Sequence, residues 1–155
     1  MKSKVGSEFA IMIKMNYSDG FDGGISLQDA IKIAKIFDKI GVDAIEISTG
    51  IIGSPKFLPN KVLNSEEDEE YNKDVAIIIS KEMKNASVIV VGGFRSYEKI
   101  EKCLQDTMIN GISLYRPLIC EPDLPKKWMS NPKYKAQCIS CNSCFLSDPL
   151  SCKRK

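Results

Sequence analysis

Residues 26–48, SLQDAIKIAKIFDKIGVDAIEIS, predict a helix followed by a buried strand. Ser26 and Asp29 have the spacing of a capping box, in which each side chain binds the other residue's backbone at a helix start. Apolar residues then recur with a helical period, and Gly41 stands where a glycine commonly ends a helix. The run DAIEIS at 43–48 is typical of a strand. This stretch is therefore one helix–strand unit of an α/β fold.

The same order of elements repeats along the chain. Strands are predicted at 9–13 (FAIMI), 43–48, 87–91 (SVIVV) and 111–115 (GISLY), with further helices ending near Lys84 and spanning about 97–107. Strands separated by helical crossovers pair in parallel. Four such strands fit either a small doubly wound sheet or half of a TIM (β/α)8 barrel. The acidic run EEDEE at 66–70 is expected to be an exposed start of the second crossover helix, where the helix dipole favours negative charge.

Composition excludes several classes of protein. A chain of 155 residues with 43% hydrophobic content suits one domain with a core. Its 22 basic and 20 acidic residues form no basic stripe with aromatics, so no nucleic-acid partner is expected. No apolar run approaches the length of about 20 residues that spans a membrane, and the first residues do not resemble a signal peptide, which predicts a cytoplasmic location. The absence of histidine excludes any mechanism that needs an imidazole from this chain.

Two predicted strand ends carry residues suited to a phosphate. After the third strand come Gly92 and Gly93, which allow close approach of a ligand to the backbone, then Arg95 and a helix start. After the fourth strand comes Arg116, whose guanidinium can bind a phosphate through two hydrogen bonds. In (β/α)8 barrels a phosphate often binds after the last two strands. These residues predict a phosphate site and favour the barrel.

Five stretches together carry a resemblance to a known family. They are IMIKMNYSD, GGISLQDAIKIAKIFDKIGVDAIEISTG, VIVVGGFRS, GISLYRPLICEPDLPKKW and CISCNSC, between about residues 9 and 144. In this order they resemble the C-terminal half of the old yellow enzyme (NADH:flavin oxidoreductase) family, in its 2,4-dienoyl-CoA reductase-like branch. The resemblance implies the fifth to eighth units of a (β/α)8 barrel. It also implies an FMN-dependent oxidoreductase of ene-reductase type, which passes hydride from NAD(P)H through the flavin to an activated alkene.

The resemblance also implies the cofactor contacts. Lys14 matches the cation beside flavin N1 and the C2 carbonyl, the Gly92 to Arg95 loop matches the phosphate cradle, and Arg116 matches the phosphate-pairing arginine. Tyr115 stands where the family commonly has glycine. The expected cofactor-binding residues are Lys14, Ser48, Gly50, Gly92, Gly93, Phe94, Arg95, Tyr115 and Arg116. The family's substrate-binding His/Asn or His/His pair, and usually its proton-donating tyrosine, come from N-terminal strands, so no catalytic residue is assigned here. The expected partners are a small alkene substrate and either the missing N-terminal half-barrel or a second copy.

The cysteines near the end of the chain allow several interpretations. The expected metal ligands are Cys138, Cys141, Cys144 and Cys152, the first three in the C-x2-C-x2-C spacing that binds three corners of a [4Fe–4S] cluster. The branch that this chain resembles has such a cluster at this point. Uncoordinated thiols, zinc and a disulfide stay open as alternatives. Cys103 and Cys120 are expected to be buried within other elements.

The chain is expected to divide into a partial barrel at 1–130, which binds FMN, and a cysteine-containing tail at 131–155. An alternative function is a non-catalytic module that binds a phosphate ligand or a metal and retains the flavin-site scaffold. A different phosphate-binding (β/α) enzyme is a third hypothesis.

Overall fold

The computed structural model describes residues 2–50 and 68–154. Four parallel strands form one sheet, in the order β1-β2-β3-β4. The strands are β1 (Met12–Asn16), β2 (Ala44–Ser48), β3 (Ser87–Val91) and β4 (Gly111–Ser113). The helices are α1 (Lys2–Val5), α2 (Leu27–Lys39), α3 (Lys73–Ser80), α4 (Tyr97–Asp106), α5 (Arg116–Cys120) and α6 (Leu124–Ser130), followed by a 3₁₀ helix at Ser143–Leu146. The predicted α/β class with parallel strands is confirmed.

The order of the strands decides between the two folds that the sequence allows. A doubly wound sheet reverses its strand order at a switch point. A (β/α)8 barrel adds each strand beside the one before it, because right-handed crossovers in one direction place the helices on one face. The strands lie in chain order from β1 to β4, which is the arrangement of a (β/α)8 barrel. Alternate strand residues such as Ile45, Ile47, Val88 and Val90 share one core with α2, α3 and α4. These are successive (β/α) units of a barrel wall.

The beginning of α2 follows the sequence pattern closely. Ser26 Oγ accepts a hydrogen bond from the Asp29 N–H at 3.2 Å, and Asp29 Oδ2 accepts one from the Ser26 N–H at 3.3 Å. These bonds satisfy two of the donors that a helix start leaves without partners. At the other end Gly41 has a φ of 85°, a left-handed conformation that glycine adopts without strain.

The bounds of other elements differ from the predicted ones. β1 begins at Met12, so Lys14 is in the middle of the strand and not at its end. The Ile11 N–H donates a hydrogen bond to the Asp43 carboxylate at 2.7 Å. Both residues come directly before the first pair of the β1–β2 ladder, Met12 and Ala44. β4 ends at Ser113, and the short helices α5 and α6 follow it without having been predicted. Both have proline in the first turn, where its missing N–H is tolerated.

The tail after residue 130 contacts the barrel wall. Leu124 and Trp128 of α6 form a second apolar cluster with Ala136, whose N–H donates to the Arg95 carbonyl at 3.0 Å. The fully buried Glu121 accepts hydrogen bonds from Lys127 Nζ at 2.8 Å, from the Tyr134 hydroxyl and from the Gln137 N–H. The division of the chain at residue 130 stays a prediction. Among the residues described here, no helix has the length and apolar character needed to cross a bilayer.

Candidate functional site

A cavity of about 230 Å³ opens at the carboxyl ends of the strands, and we call it the strand-end cavity. The sheet face opposite the helices contributes Ser48 of β2, Val91 of β3 and Ser113 of β4. Lys14 of β1 lines the same space. Because parallel strands end at one edge of a sheet, the loops that follow them meet here.

The strand-end cavity brings together most of the predicted cofactor residues. Those that line it are Lys14, Ser48, Gly93, Phe94, Tyr115 and Arg116. Gly93 has a φ of 76°, which favours glycine at this point of the loop after β3. Arg116 begins α5 directly after the β4 exit. The residues after two adjacent strands therefore face one space, in which a single anion can meet both.

Gly50 and Gly92 do not line the strand-end cavity, and each accepts a hydrogen bond at its backbone carbonyl. The Gly92 carbonyl accepts a hydrogen bond from the Tyr71 N–H at 3.2 Å. A Cβ at Gly92 would lie 3.0 Å from the Asn72 backbone nitrogen, so glycine lets the segment before α3 approach β3. The Gly50 carbonyl accepts a hydrogen bond from Asn16 Nδ2 at 3.2 Å, which ties the β2 exit to the end of β1.

The start of α4 is occupied by a carboxylate of the chain itself. Glu69 Oε2 accepts hydrogen bonds from the Arg95 N–H at 2.9 Å and the Ser96 N–H at 3.1 Å, and Oε1 accepts from Ser96 Oγ at 2.8 Å. The Arg95 guanidinium donates to the Cys138 carbonyl at 3.4 Å, away from the cavity wall. The expectation of an exposed acidic run is wrong for Glu69, which is buried. Its carboxylate is the acceptor for N–H groups at the start of α4, which have no partner within the helix. Residues 66 and 67 of that run lie outside the described residues.

Arg116 is held in place from two sides. Its side chain is buried, with 6% of the residue exposed. Nη1 donates to the Ser140 carbonyl at 3.2 Å and to Asn142 Oδ1 at 2.6 Å, and Nη2 donates to the Tyr71 hydroxyl at 3.2 Å. A planar guanidinium with acceptors on both terminal nitrogens has a defined orientation.

Tyr71 is a site residue that the sequence does not reveal. It lines the strand-end cavity, next to Arg116. Burial raises the pKa of its hydroxyl, so the phenol stays protonated at neutral pH. A protonated phenol can donate a hydrogen bond to an anion in the cavity. Tyr71 follows the acidic run without any periodic or motif signal, so only the fold identifies it.

Lys14 has an anionic partner in the neighbouring strand. Lys14 and Glu46 are directly opposite in the β1–β2 ladder and form an ion pair. The Lys14 side chain is 57% exposed and lines the strand-end cavity, whereas the Glu46 side chain is 12% exposed and is not part of the cavity wall. The positive charge expected beside a flavin is thus partly balanced. Glu46 is identifiable only once the strand register is known.

The cysteine-rich segment forms the wall of a second, smaller cavity of about 20 Å³, here called the thiol cavity. Its lining includes Cys120, Cys138, Cys141, Cys144 and Cys152. A hydrogen bond from the Ser143 side chain lowers the pKa of Cys141, whereas burial raises the pKa of Cys144. Across residues 2–50 and 68–154, no group of three or more Cys, Asp or Glu side chains is arranged to hold a metal ion. The four predicted ligands therefore share a cavity but do not form a ligand set in this arrangement.

The other two cysteines behave as predicted. Cys103 in α4 is 2% exposed, and Cys120 at the end of α5 is 5% exposed. Burial raises the pKa of the Cys103 thiol, which keeps it neutral within the core. Both therefore pack as small apolar side chains, although Cys120 also contacts the thiol cavity.

Comparison with known proteins relates the chain to flavin enzymes. No family model matches it. It is 31% identical over 142 residues to the NADH-dependent flavin oxidoreductase iliE of Hypocrea jecorina (strain QM6a), a match that covers 87% of this chain. The chain spans about a third (35%) of the length of that relative.

Solved structures show the same fold over part of their length. A 2-naphthoyl-CoA reductase in complex with 2-naphthoyl-CoA superposes with a TM-score of 0.73 at 23% identity, covering 91% of this chain and 21% of that one. An old yellow enzyme homologue from Zymomonas mobilis superposes with a TM-score of 0.57 at 18% identity, covering 86% and 35% of the two chains. The chain is thus a homologue of the NADH-dependent flavin oxidoreductases, with the fold of part of an old yellow enzyme barrel.

Proposed function

We propose that this chain forms the phosphate-binding side of an FMN site in an NAD(P)H-dependent oxidoreductase of the ene-reductase type. The observation that carries the proposal is the strand-end cavity, where Gly93 and Arg116 from adjacent strand ends meet Lys14. The homology to an NADH-dependent flavin oxidoreductase supports a flavin as the ligand. Bound FMN would take hydride from NAD(P)H and deliver it to a small molecule with an activated alkene.

The residues of the cavity fit the phosphate of FMN. Arg116 brings a planar, positively charged guanidinium to the cavity wall, a group that suits phosphate oxygens better than an ammonium does. Gly93 has no side chain to keep a phosphate away from the loop backbone. The Tyr71 hydroxyl adds a neutral donor on the same wall. Together these groups would anchor the phosphate and exclude water from its buried side.

Lys14 would lie at the end of the cavity occupied by the flavin ring. A fixed cation there favours negative charge on the ring, although Glu46 offsets part of the effect. This ion pair is also the observation that favours the alternative function, a non-catalytic module that binds a phosphate ligand. The two functions differ in the expected preference for FMN over inorganic phosphate.

We also propose that further (β/α) units, from additional polypeptide or from a second copy, complete the barrel. Within the described residues, β1 and β4 are each paired along one edge only. Open edges of a sheet are favourable sites for pairing with another strand, and barrel closure removes them. Catalytic groups that face the flavin from the other side would come from those units.

Equilibrium titration with FMN and with riboflavin tests the proposal, because riboflavin lacks only the phosphate. We expect the protein to bind FMN at least tenfold more tightly than riboflavin. This factor corresponds to about 1.4 kcal/mol, which charge-assisted hydrogen bonds to the phosphate would contribute. Arg116→Lys should remove most of this preference, since a lysine cannot bind two oxygens in a plane. Arg154→Lys, the same change at an exposed arginine, is the matched control.

The outcomes separate the two functions. Equal affinity for FMN and riboflavin would show that the cavity does not hold the phosphate of a flavin. Binding of inorganic phosphate that is lost in Arg116→Lys, without any flavin binding, would support the non-catalytic module.

A further inference from the structure

The strand-end cavity and the thiol cavity share part of their walls. Arg116 and Ser140 line both. Arg116 follows β4, whereas Ser140 lies inside the segment CISCNSC at 138–144, here called the cysteine loop. The guanidinium that faces the strand-end cavity is therefore in direct contact with the loop that carries three of the thiols.

The cysteine loop holds Arg116 through two acceptors on one nitrogen. The Ser140 carbonyl is 3.2 Å from Nη1, and Asn142 Oδ1 is 2.6 Å from the same atom. Arginine loses much rotamer freedom when it is fixed, so a site that holds it before the ligand arrives lowers the cost of binding. Asn142 provides the shorter of these two bonds and is the only one of the two acceptors that a substitution can remove.

The backbone of the loop is itself in an uncommon conformation. Ser140 has a φ of 57° and Asn142 a φ of 63°, in the left-handed region that residues other than glycine seldom adopt. Such a conformation persists when surrounding contacts hold it. The bonds from Arg116 are among the contacts made here, so the orientation of Arg116 and the shape of the loop depend on each other.

We propose that Asn142 is a positioning residue for Arg116, and that the conformation of the cysteine loop sets the affinity of the strand-end cavity for phosphate esters. The inference rests on the proposed function.

The test compares FMN and riboflavin affinity in loop variants by equilibrium titration. Asn142→Gly removes the acceptor and retains a backbone suited to positive φ. It should weaken FMN binding about tenfold, because the loss of one charge-assisted hydrogen bond has about this effect. Riboflavin binding should not change. Ser151→Gly, which adds a glycine to the same tail at an exposed position, should have no effect.

The results distinguish failure of this inference from failure of the proposed function. A wild-type protein without preference for FMN over riboflavin would refute both. A clear preference that Asn142→Gly leaves intact would refute only the positioning role. Equal weakening of FMN and riboflavin would assign Asn142 a merely structural role and also refute it.

Discussion

Replacement of Asp38 by asparagine tests the hydrogen bonds between α2 and the turn that precedes β3. Asp38 is 7% exposed and lies near the end of α2. Its Oδ1 accepts hydrogen bonds from the Asn85 N–H at 2.8 Å and the Ala86 N–H at 2.6 Å, and its Oδ2 accepts from the Lys84 N–H at 3.2 Å. α3 ends at Ser80, short of the predicted end near Lys84, and these bonds hold the turn between α3 and the start of β3 at Ser87.

The expected loss of stability follows from the number of acceptors. Asparagine keeps one oxygen for two of the donors but turns an NH₂ group towards the third, at Lys84. One partly buried N–H without an acceptor costs about 1–3 kcal/mol. The two remaining bonds lose their charge assistance, at roughly 0.5 kcal/mol each. We therefore expect Asp38→Asn to lower the free energy of unfolding by about 2–4 kcal/mol.

The effect should depend on pH in a defined direction. The backbone hydrogen bonds, that from Ala86 foremost, hold the pKa of Asp38 below its usual range despite burial. A depressed carboxylate pKa contributes stability above the unfolded pKa of about 4, and this contribution is lost as the pH falls through the folded value. The difference between wild type and Asp38→Asn should thus be largest near neutral pH and shrink below about pH 4.

Urea unfolding from pH 7 down to pH 3 measures both quantities, with Asp22→Asn as the control at an exposed aspartate. The control should lie within about 0.5 kcal/mol of wild type. A loss below 1 kcal/mol in Asp38→Asn at neutral pH, or a loss that stays constant into acid, would refute this account of the turn.

Two further predictions concern the cavity loop and the tail. Gly93→Ala should cost about 1 kcal/mol of stability because of the positive φ, and it should weaken FMN binding severalfold. Gly23→Ala, at a φ of 84° with open space around it, should cost similar stability without any change in FMN affinity, and a loss of FMN affinity there would contradict the assignment of Gly93. Glu121→Gln should lower the free energy of unfolding by about 2–4 kcal/mol, since it leaves buried donors with weaker acceptors. Urea titration checks this value, and an unchanged midpoint would show that the tail is held by the apolar cluster alone.

Much of the fold follows from local sequence patterns. Ser26, Asp29 and Gly41 predict both ends of α2 because capping depends only on residues a few positions apart. The strand at Ser87–Val91 is correct at both ends, since its apolar run is bounded by polar residues and glycines. The first strand is less well predicted. Its apolar run begins at residue 9, but pairing begins only where β2 provides a partner.

The cysteine loop shows the limit of motif reasoning. The spacing of Cys138, Cys141 and Cys144 is the same whether the thiols bind a cluster or none. The structure places them in one cavity without a ligand set, which the spacing does not reveal. It also shows that Asn142, a residue with no sequence signal, contacts Arg116.

The sequence by itself determined the parallel α/β class and the caps of α2, because each depends on neighbouring residues or on hydrophobic period, and it predicted that two strand ends form a phosphate site. The tertiary structure decided that the strands lie in chain order, that Glu46 pairs with Lys14, and that Glu69 occupies the start of α4. It also decided that Tyr71 and the cysteine loop hold Arg116. These contacts join residues 24 to 45 positions apart, and only strand register and the packing of loops at one edge of the sheet bring such residues together.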